Sequence, residues 1–409
     1  MTDFRARAAA LDAADPMAHW RDAFVLRDGL VYLDGNSLGA LPRATAAHLA
    51  ETVTRAWGDG LITSWVDADW IGAPRRIGDK IGAIIGANPG EVIAVDLTSI
   101  NIFKALTAAL SLRPDRSVIL TDTGNFSTDL YLVQGLARLT GVRVVAVSPE
   151  ALSDHINAGV AAVLLTQVHY KTGAVHDMAA LTARAQAHGA LTIWDLSHSA
   201  GAIDVDLNAA NADFAVGCGY KFLNGGPGAP GYLFAAARHH QAVPALSGWF
   251  GHARPFAFED DYDPAPGIER FQCGTPPILG LAALEIGVDL MAQVDPVARE
   301  AKLRGLAALL IDAMAALCAD HGFVLASPRN AASRGSHVSF VHPHGHALMQ
   351  ALRARDVIGD FRAPDIMRFG LTPLYLRFVD VVTAVETLAE ICRTRAWDRP
   401  EYHVRAAVT

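Results

Sequence analysis

Three features of the sequence predict an α/β fold with a mostly parallel sheet, followed by a smaller α+β domain. Between Val92 and Phe234, short apolar runs of strand length alternate with helix-length segments. Several of those runs, such as Val118-Ile119-Leu120 and Phe214-Ala215-Val216, are apolar throughout, as strands covered by helices on both faces tend to be. From about Asp295 the rhythm changes to long helices with a few strands. In the alternating part, ligands are expected at the C-terminal ends of the strands.

Taken in order, residues 1–30 read as Ala-rich helix, with Asp15-Pro16 as the start of a second helix. Val31-Tyr32-Leu33 is a short strand running into the polar turn Asp34-Gly35-Asn36-Ser37-Leu38-Gly39. A helix is expected over 45–56. The loop-like segment 57–72 then carries Trp57, Trp65 and Trp70 among polar residues, either as packing between domains or as a wall for a ring-bearing ligand. A helix over 75–85 precedes a strand over 92–95. Asp96-Leu97-Thr98-Ser99-Ile100-Asn101 then turns into a helix ending near Leu110. Small hydroxyl residues at such a junction suit a phosphate, because free N–H groups and the helix dipole face the anion. Plain capping by Thr98 or Ser99 is the alternative, and both roles can hold together.

After the strand over 118–121, Phe126-Ser127-Thr128-Asp129 starts a helix. Strands over 144–147 and 161–166 follow, and a helix over 178–188 leads to Leu191-Thr192-Ile193-Trp194-Asp195. Beyond Phe234 come Trp249-Phe250-Gly251-His252, an acidic Pro-rich loop over 259–267, and Phe271 to Pro277, which opens a long helix. In the last part helices are expected up to 319 and over 347–355 and 379–393, with a strand over 338–341. His342, His344 and His346 have no acidic or cysteine partner nearby and read as a solvated turn rather than a metal site. Arg368 sits in the apolar run Ile366-Met367-Arg368-Phe369-Gly370. It needs an anion there, either a buried acid or a substrate carboxylate gripped by both arms of its fork.

Composition narrows the function. The chain has 409 residues, 51% of them hydrophobic and 19% charged, so a large core forms and disorder is not expected. A net charge of −8 argues against nucleic acid as a partner. Cys218, Cys273, Cys318 and Cys392 are far apart and form no C-x-x-C pair, which points to neither zinc nor a disulfide framework. Asp3, Arg5, Arg7 and Asp12 interrupt the apolar residues of the N-terminus, unlike a signal peptide, and no apolar run has transmembrane length. A cytoplasmic setting is expected. No G-x-G-x-x-G follows the first strand, which removes a dinucleotide dehydrogenase.

The chemistry concentrates in two places. Phe214-Ala215-Val216 breaks at Gly217-Cys218-Gly219 and presents Tyr220 and Lys221, backed by Gly225, Gly226, Gly228 and Gly231 with Pro227 and Pro230. A lysine held at a strand end before a rigid loop suits imine formation, which needs a fixed and partly desolvated amine. One strand earlier, Asp195 ends its own apolar run, with His198 three residues on. Pyridoxal phosphate needs this pair: the lysine holds its aldehyde carbon, and the aspartate keeps the pyridine nitrogen protonated so that the ring draws electrons. The pair in this order points to the aspartate-aminotransferase-like fold. Thr98, Phe126, Thr166, Asp195, His198, Tyr220 and Lys221 all fall at or just past strand ends.

The chain resembles the kynureninase family, bacterial type, within the class-V aminotransferase branch, over nearly its whole length. The motifs are DGNSLG at Asp34, DLTSIN at Asp96, NFSTD at Asn125, WDLSHSAG at Trp194, GCGYKFLNGGPGAPGYLF at Gly217, GWFGH at Gly248 and GTPPI at Gly274. The resemblance implies a large domain over 61–292 with a seven-stranded sheet and a small domain over 293–409, joined by an N-terminal arm over 1–60. It implies hydrolysis of the Cβ–Cγ bond of L-kynurenine in tryptophan catabolism, giving anthranilate and L-alanine, with 3-hydroxy-L-kynurenine used less well. Lys221, Tyr220 and Asp195 would be catalytic. Leu97, Thr98, Phe126, Ser127, Thr128, Asp129, Thr166, His198, Trp249 and Thr275 would join them around the cofactor, the last two from the partner subunit of a homodimer. Arg368, Asn36, Ser37 and Trp65 would bind substrate, and no metal is implied. Some members carry Asn at the position of Thr275 and Pro at that of Ser127. A cysteine desulfurase, the nearest rival, needs a mobile cysteine over the site, and none of the four fits.

Overall fold

The computed structural model describes residues 3–405. Two compact units emerge. The larger holds Ala44–Tyr170 and His176–Gln293; the other holds the chain up to Arg43, Lys171–Val175 and everything from Val294 on.

The larger unit is built on seven strands: β1 (Val92–Ile93), β2 (Val118–Asp122), β3 (Arg143–Val147), β4 (Val160–Thr166), β5 (Leu191–Asp195), β6 (Phe214–Cys218) and β7 (Gly231–Ala235). Their spatial order is β1-β7-β6-β5-β4-β2-β3. The pairs β2–β3, β2–β4, β4–β5 and β5–β6 are parallel, whereas β7 is antiparallel to both β1 and β6. The sheet is therefore mostly parallel, as expected. β7 was not anticipated: the sequence reads as a glycine-rich turn followed by GYLF. Gly226 and Gly228 take φ of 81° and 77°, which lets the chain reverse and lay another fully buried strand against β6. A Cβ at Gly231 would stand 2.7 Å from the Gly217 carbonyl oxygen, so the close pairing of the two strands requires glycine there.

Helices α1 (Ala73–Ile84), α2 (Thr98–Ser111), α3 (Ser127–Thr140), α4 (Met178–Ala187) and α5 (Ile278–Ala292) complete the unit. α2 lies on β4 to β7 and inserts Ile102, Ala105, Leu106 and Ala109 among Leu164, Ile193, Phe214 and Leu233. Each large apolar side chain so buried stabilises the unit by roughly 1.5–3 kcal/mol. Gly141, at φ 78°, ends α3. The segment expected to be a tryptophan-bearing loop is mostly helical. Thr45–Glu51 is α-helix, Thr52–Asp59 continues it as π-helix, and short turns at Leu61–Thr63 and Ser64–Asp67 follow. Gly60 N–H reaches back to the Arg55 carbonyl, the wider spacing that a π turn imposes.

The other unit packs the helices Pro296–Leu317, Gly345–Arg353 and Phe378–Thr394 with a four-stranded antiparallel sheet. Its strand order is Asp360–Arg362, Ile366–Gly370, His337–Val341, Val324–Leu325. The N-terminal helix Phe4–Ala13 is capped by Asp3, and Asp12 in turn caps the C-terminal helix, accepting from Phe378 and Val379 N–H at 2.6 and 3.0 Å. The second helix expected after Asp15-Pro16 is a 3₁₀ turn, Ala18–Ala23. His342 is not solvated, contrary to expectation: it is buried against Phe323 and bonds the His321 carbonyl at 2.9 Å. Among the described residues, no helix is long and apolar enough to cross a membrane.

Candidate active site

At the C-terminal edge of the large sheet, Thr98, Phe126, Thr128, Asp129, Thr166, Asp195, His198, Tyr220 and Lys221 line one cavity. Parallel pairing explains the convergence, since β4 and β5 end in register, Thr166 beside Asp195, and Asp195 pairs with Val216 of β6. Lys221 Nζ is 3.3 Å from His198 Nε2 and lies 5.8 Å from the centre of the Tyr220 ring. Leu97, Ser127, Trp249 and Thr275 are not among the lining residues.

The electrostatics of this cavity are unusual for a protein interior. Asp195 and Asp129 are both buried. Burial pushes each carboxyl above its ordinary range, and the charge of Asp195 adds to the effect on Asp129. Ser197 anchors Asp195 through its side chain and through its N–H at 2.7 Å, and Lys221 also lowers its carboxyl, but burial outweighs them. Two buried acids in one cavity are costly unless a positive group serves them. A protonated pyridine nitrogen at Asp195 is such a group, and the amine of Lys221 stands ready for an aldehyde in the same cavity. The residues fit pyridoxal phosphate.

The anion end fits as well. Leu97, not Thr98 or Ser99, is the cap residue of α2, and no side chain bonds the free N–H groups of its first turn. The plain-capping alternative is therefore not what the fold uses, and the 14-residue helix presents an open N-terminus to the cavity. Ser99, one of the hydroxyl residues expected to suit a phosphate, also lines the cavity; Ser197 and Ile102 line it too and were not foreseen as site residues. Asn125 was missed too. It accepts from Thr166 Oγ1 and from Phe126 N–H at 2.8 Å, and donates to Thr121 Oγ1 at 3.1 Å, so it ties the ends of β2 and β4 together. An Asx residue just before a helix is the signal that could have found it.

The residues expected to meet substrate are distributed. Trp65 belongs to the larger unit, with its ring 5.9 Å from Trp70 and 5.7 Å from Phe250. Arg368, Asn36 and Ser37 belong to the other unit. There Arg368, 1% exposed, is paired with the fully buried Asp360, so the first of the two anions expected for it is present. Ser37 Oγ donates to Asp360 Oδ2 at 2.9 Å and accepts from Arg368 Nη2 at 3.2 Å. Arg362 also reaches Asp360 Oδ2 at 2.9 Å. Asp34, in the same cluster, is pushed up to about 7 by burial and by repulsion from Asp360. Asn36 is fully buried, its amide pressed against Gly370.

No cysteine is poised for nucleophilic chemistry. Burial raises the Cys218 thiol and pushes Cys318 and Cys392 to about 12 and about 11. Cys273 is raised by burial too, and its Sγ donates to the Leu246 carbonyl at 3.1 Å. Reactive thiols are lowered, not raised.

Known proteins place this arrangement. A profile of the kynureninase C-terminal domain matches residues 300–388. The chain is 49% identical to a kynureninase of Pseudomonas fluorescens over 409 residues, 98% of each chain. It is 49% identical to a kynureninase of Burkholderia pseudomallei over 414 residues, 99% of each. Among solved structures, a cysteine desulfurase from Thermococcus onnurineus superposes with a TM-score of 0.78 at 20% identity, covering 92% of this chain and 98% of that one. The lyase C-DES, carrying glycine covalently linked to its pyridoxal-phosphate cofactor, gives 0.78 at 18%, covering 90% and 99%. These distant structures share the fold, and the aspartate-aminotransferase-like architecture expected from the sequence is present. Near-half identity carried from end to end decides the relationship more finely: this chain belongs to the kynureninase family.

Proposed function

We propose that the chain is a pyridoxal-phosphate-dependent hydrolase that cleaves the Cβ–Cγ bond of L-kynurenine to anthranilate and L-alanine. The observation that carries this reading is the 49% identity to kynureninases over the full length of both chains. The cofactor supplies an electron sink for the substrate's α-carbon when bound. Lys221 anchors it and takes the α-proton, with His198 beside the amine. Asp195 holds the proton on the ring nitrogen, Phe126 offers its ring face, and Asp129 and Thr166 support the same end of the cavity. Leu97, Thr98, Ser127 and Thr128 surround the phosphate side. Arg368 receives the substrate α-carboxylate, oriented by Asp360 and Ser37; Asn36 shapes that region from behind. Trp65 stands against the aromatic ring of the substrate. Water attacks the γ-carbonyl carbon, and Tyr220 moves a proton at the steps that follow. The 3-hydroxy substrate is turned over less well.

The working form is a homodimer in a cytoplasmic setting. Trp249, 38% exposed, and Thr275, also exposed, lie outside their own chain's cavity and serve the partner's. Trp57, Leu61, Ile62, Val66, Phe256 and Phe258 are exposed apolar side chains that a second copy would cover. The test offers L-kynurenine and 3-hydroxy-L-kynurenine separately to the purified protein with added cofactor and follows anthranilate or its hydroxy form by fluorescence. Anthranilate release that is faster than hydroxyanthranilate release, and lost in Lys221→Ala, supports the reading. Bound cofactor with no release from either substrate overturns it. Tyr220→Phe should slow the late proton transfers by roughly 10²–10⁴-fold while the spectrum of the bound cofactor stays nearly unchanged; full turnover in that variant would remove Tyr220 from the mechanism.

A further inference from the structure

Lys104 has no place in the site described so far, yet its side chain is completely buried in the middle of α2. Lysine is seldom fully buried without a strong reason. Its ammonium is held by the Asp96 carboxylate and by the carbonyl of Phe271, at 2.5 Å. Asp96 is the hinge of the turn that delivers α2. It sits in left-handed backbone, φ 46°, which asparagine and aspartate adopt more readily than other side chains but which still costs energy for any residue with a Cβ. Its own carbonyl accepts from Gly231 N–H at 2.7 Å, and Asn101 Nδ2 fixes the neighbouring Val95 carbonyl at 2.8 Å. Leu97 and Thr98 follow at once, with the open first turn that faces the cavity.

We propose that Lys104 is a positioning residue for the cofactor's phosphate: the buried ammonium locks Asp96 in its left-handed turn and so aims the N–H groups of Leu97, Thr98 and Ser99. The proposal rests on the reading that the phosphate lies at the N-terminus of α2. The physical reason is that a turn in a costly conformation holds only when surrounding bonds over-determine it. A charge-assisted bond from a fully buried ammonium is the strongest of those available here. The same ammonium fixes the Phe271 carbonyl, just before the stretch that leads to Thr275. Asp96 keeps part of its side chain in water, 27% exposed, so an asparagine there can still offer the buried ammonium an amide oxygen beside the Phe271 carbonyl, although without the counter-charge.

The test compares wild type, Lys104→Met and Asp96→Asn for binding of pyridoxal phosphate and of pyridoxal, which lacks the phosphate, by absorbance titration of cofactor-depleted protein. Asparagine tolerates left-handed backbone, so Asp96→Asn removes the charge and keeps the turn accessible should Lys104→Met fail to fold. The dissociation constant for pyridoxal phosphate should rise roughly tenfold or more in both variants, as a displaced binding group of this kind produces, while that for pyridoxal stays within twofold of wild type. Equal effects on the two ligands, or a lower melting temperature with unchanged cofactor affinity, would reduce Lys104 to a structural residue and overturn the proposal. Thr98→Ala serves as the separate control. If it leaves the preference for pyridoxal phosphate over pyridoxal intact, the phosphate is not at α2, and the failure belongs to the site reading rather than to Lys104.

Discussion

The two ends of the β5–β6 pair make opposite use of a buried aspartate. Asp213, immediately before β6, is 1% exposed and is served from every side. Thr192 N–H donates at 2.9 Å, Arg238 Nη2 at 2.8 Å, and His239 Nε2 lies at 2.8 Å. These partners outweigh burial and hold its carboxyl below the ordinary range. At the other end, beside Lys221, Asp195 and Asp129 share a cavity, and burial wins: both carboxyls are raised. One end closes its electrostatics within the protein and serves the fold. The other leaves a need that a cationic ligand group would meet. Burial alone therefore does not mark a functional acid; burial without enough internal partners does.

Replacement of Lys221 at the open end should have the largest effect. Lys221→Ala should lower kcat/KM by roughly 10⁴-fold or more and abolish the absorbance of lysine-bound cofactor, while the melting temperature of the cofactor-free protein changes little. At the closed end the ranking should invert. Asp213→Asn removes one side of a buried network and should cost about 3 kcal/mol of unfolding free energy, leaving kcat of the folded protein near wild type. Because its folded pKa is lowered, Asp213 contributes its stability above its unfolded value, about 4, and loses it as pH falls through the folded value. Denaturant curves should therefore show the gap between wild type and variant closing in acid.

Asp195→Asn sharpens the contrast, since the sign reverses. A raised folded pKa means that stability is complete below about pH 4 and is lost as pH rises through the folded value. In cofactor-free protein the variant should match wild type near pH 4 and melt higher than wild type at pH 8. Identical melting at both pH values would dissolve the proposed difference between the ends of the β5–β6 pair. The smallest effect is expected in the other unit. Asp34, raised to about 7, follows the same sign. Asp34→Asn should raise the melting temperature by a few °C at pH 8, roughly the shift of 1 kcal/mol in a domain of this size, and leave it unchanged near pH 4.

Much of this was legible in the sequence, for a physical reason. Strands buried on both faces cannot afford polar residues, so the runs that became β2, β4, β5 and β6 stood out, and so did Asp195 and Lys221 where those runs broke. The alternation of strand and helix put Thr98, Phe126 and Thr166 at the same edge. Legibility failed where a residue's role depends on a partner far along the chain. Lys104 looks like any helical lysine until Phe271 arrives beside it, 167 residues later. Arg368 called for an anion, but nothing in the sequence singled out Asp360 on the neighbouring strand, which the register places directly opposite it. β7 was hidden because its partner, β6, lies across a glycine turn whose left-handed residues could belong to any loop.

What the sequence alone determined was the kind of sheet and the edge at which Asp195, Tyr220 and Lys221 gather around one cavity. Those properties follow from local apolar patterning and from residue chemistry, and both are written in short stretches of chain. What only the tertiary structure decided was which acids are satisfied and which are not. Asp213 and Asp195 are both acids at the ends of apolar runs; packing brought His239 and Arg238 to the first and a second buried carboxylate to the cavity of the other. The energy of a buried charge is set by everything within a few ångströms of it, and that neighbourhood exists only once the chain has folded.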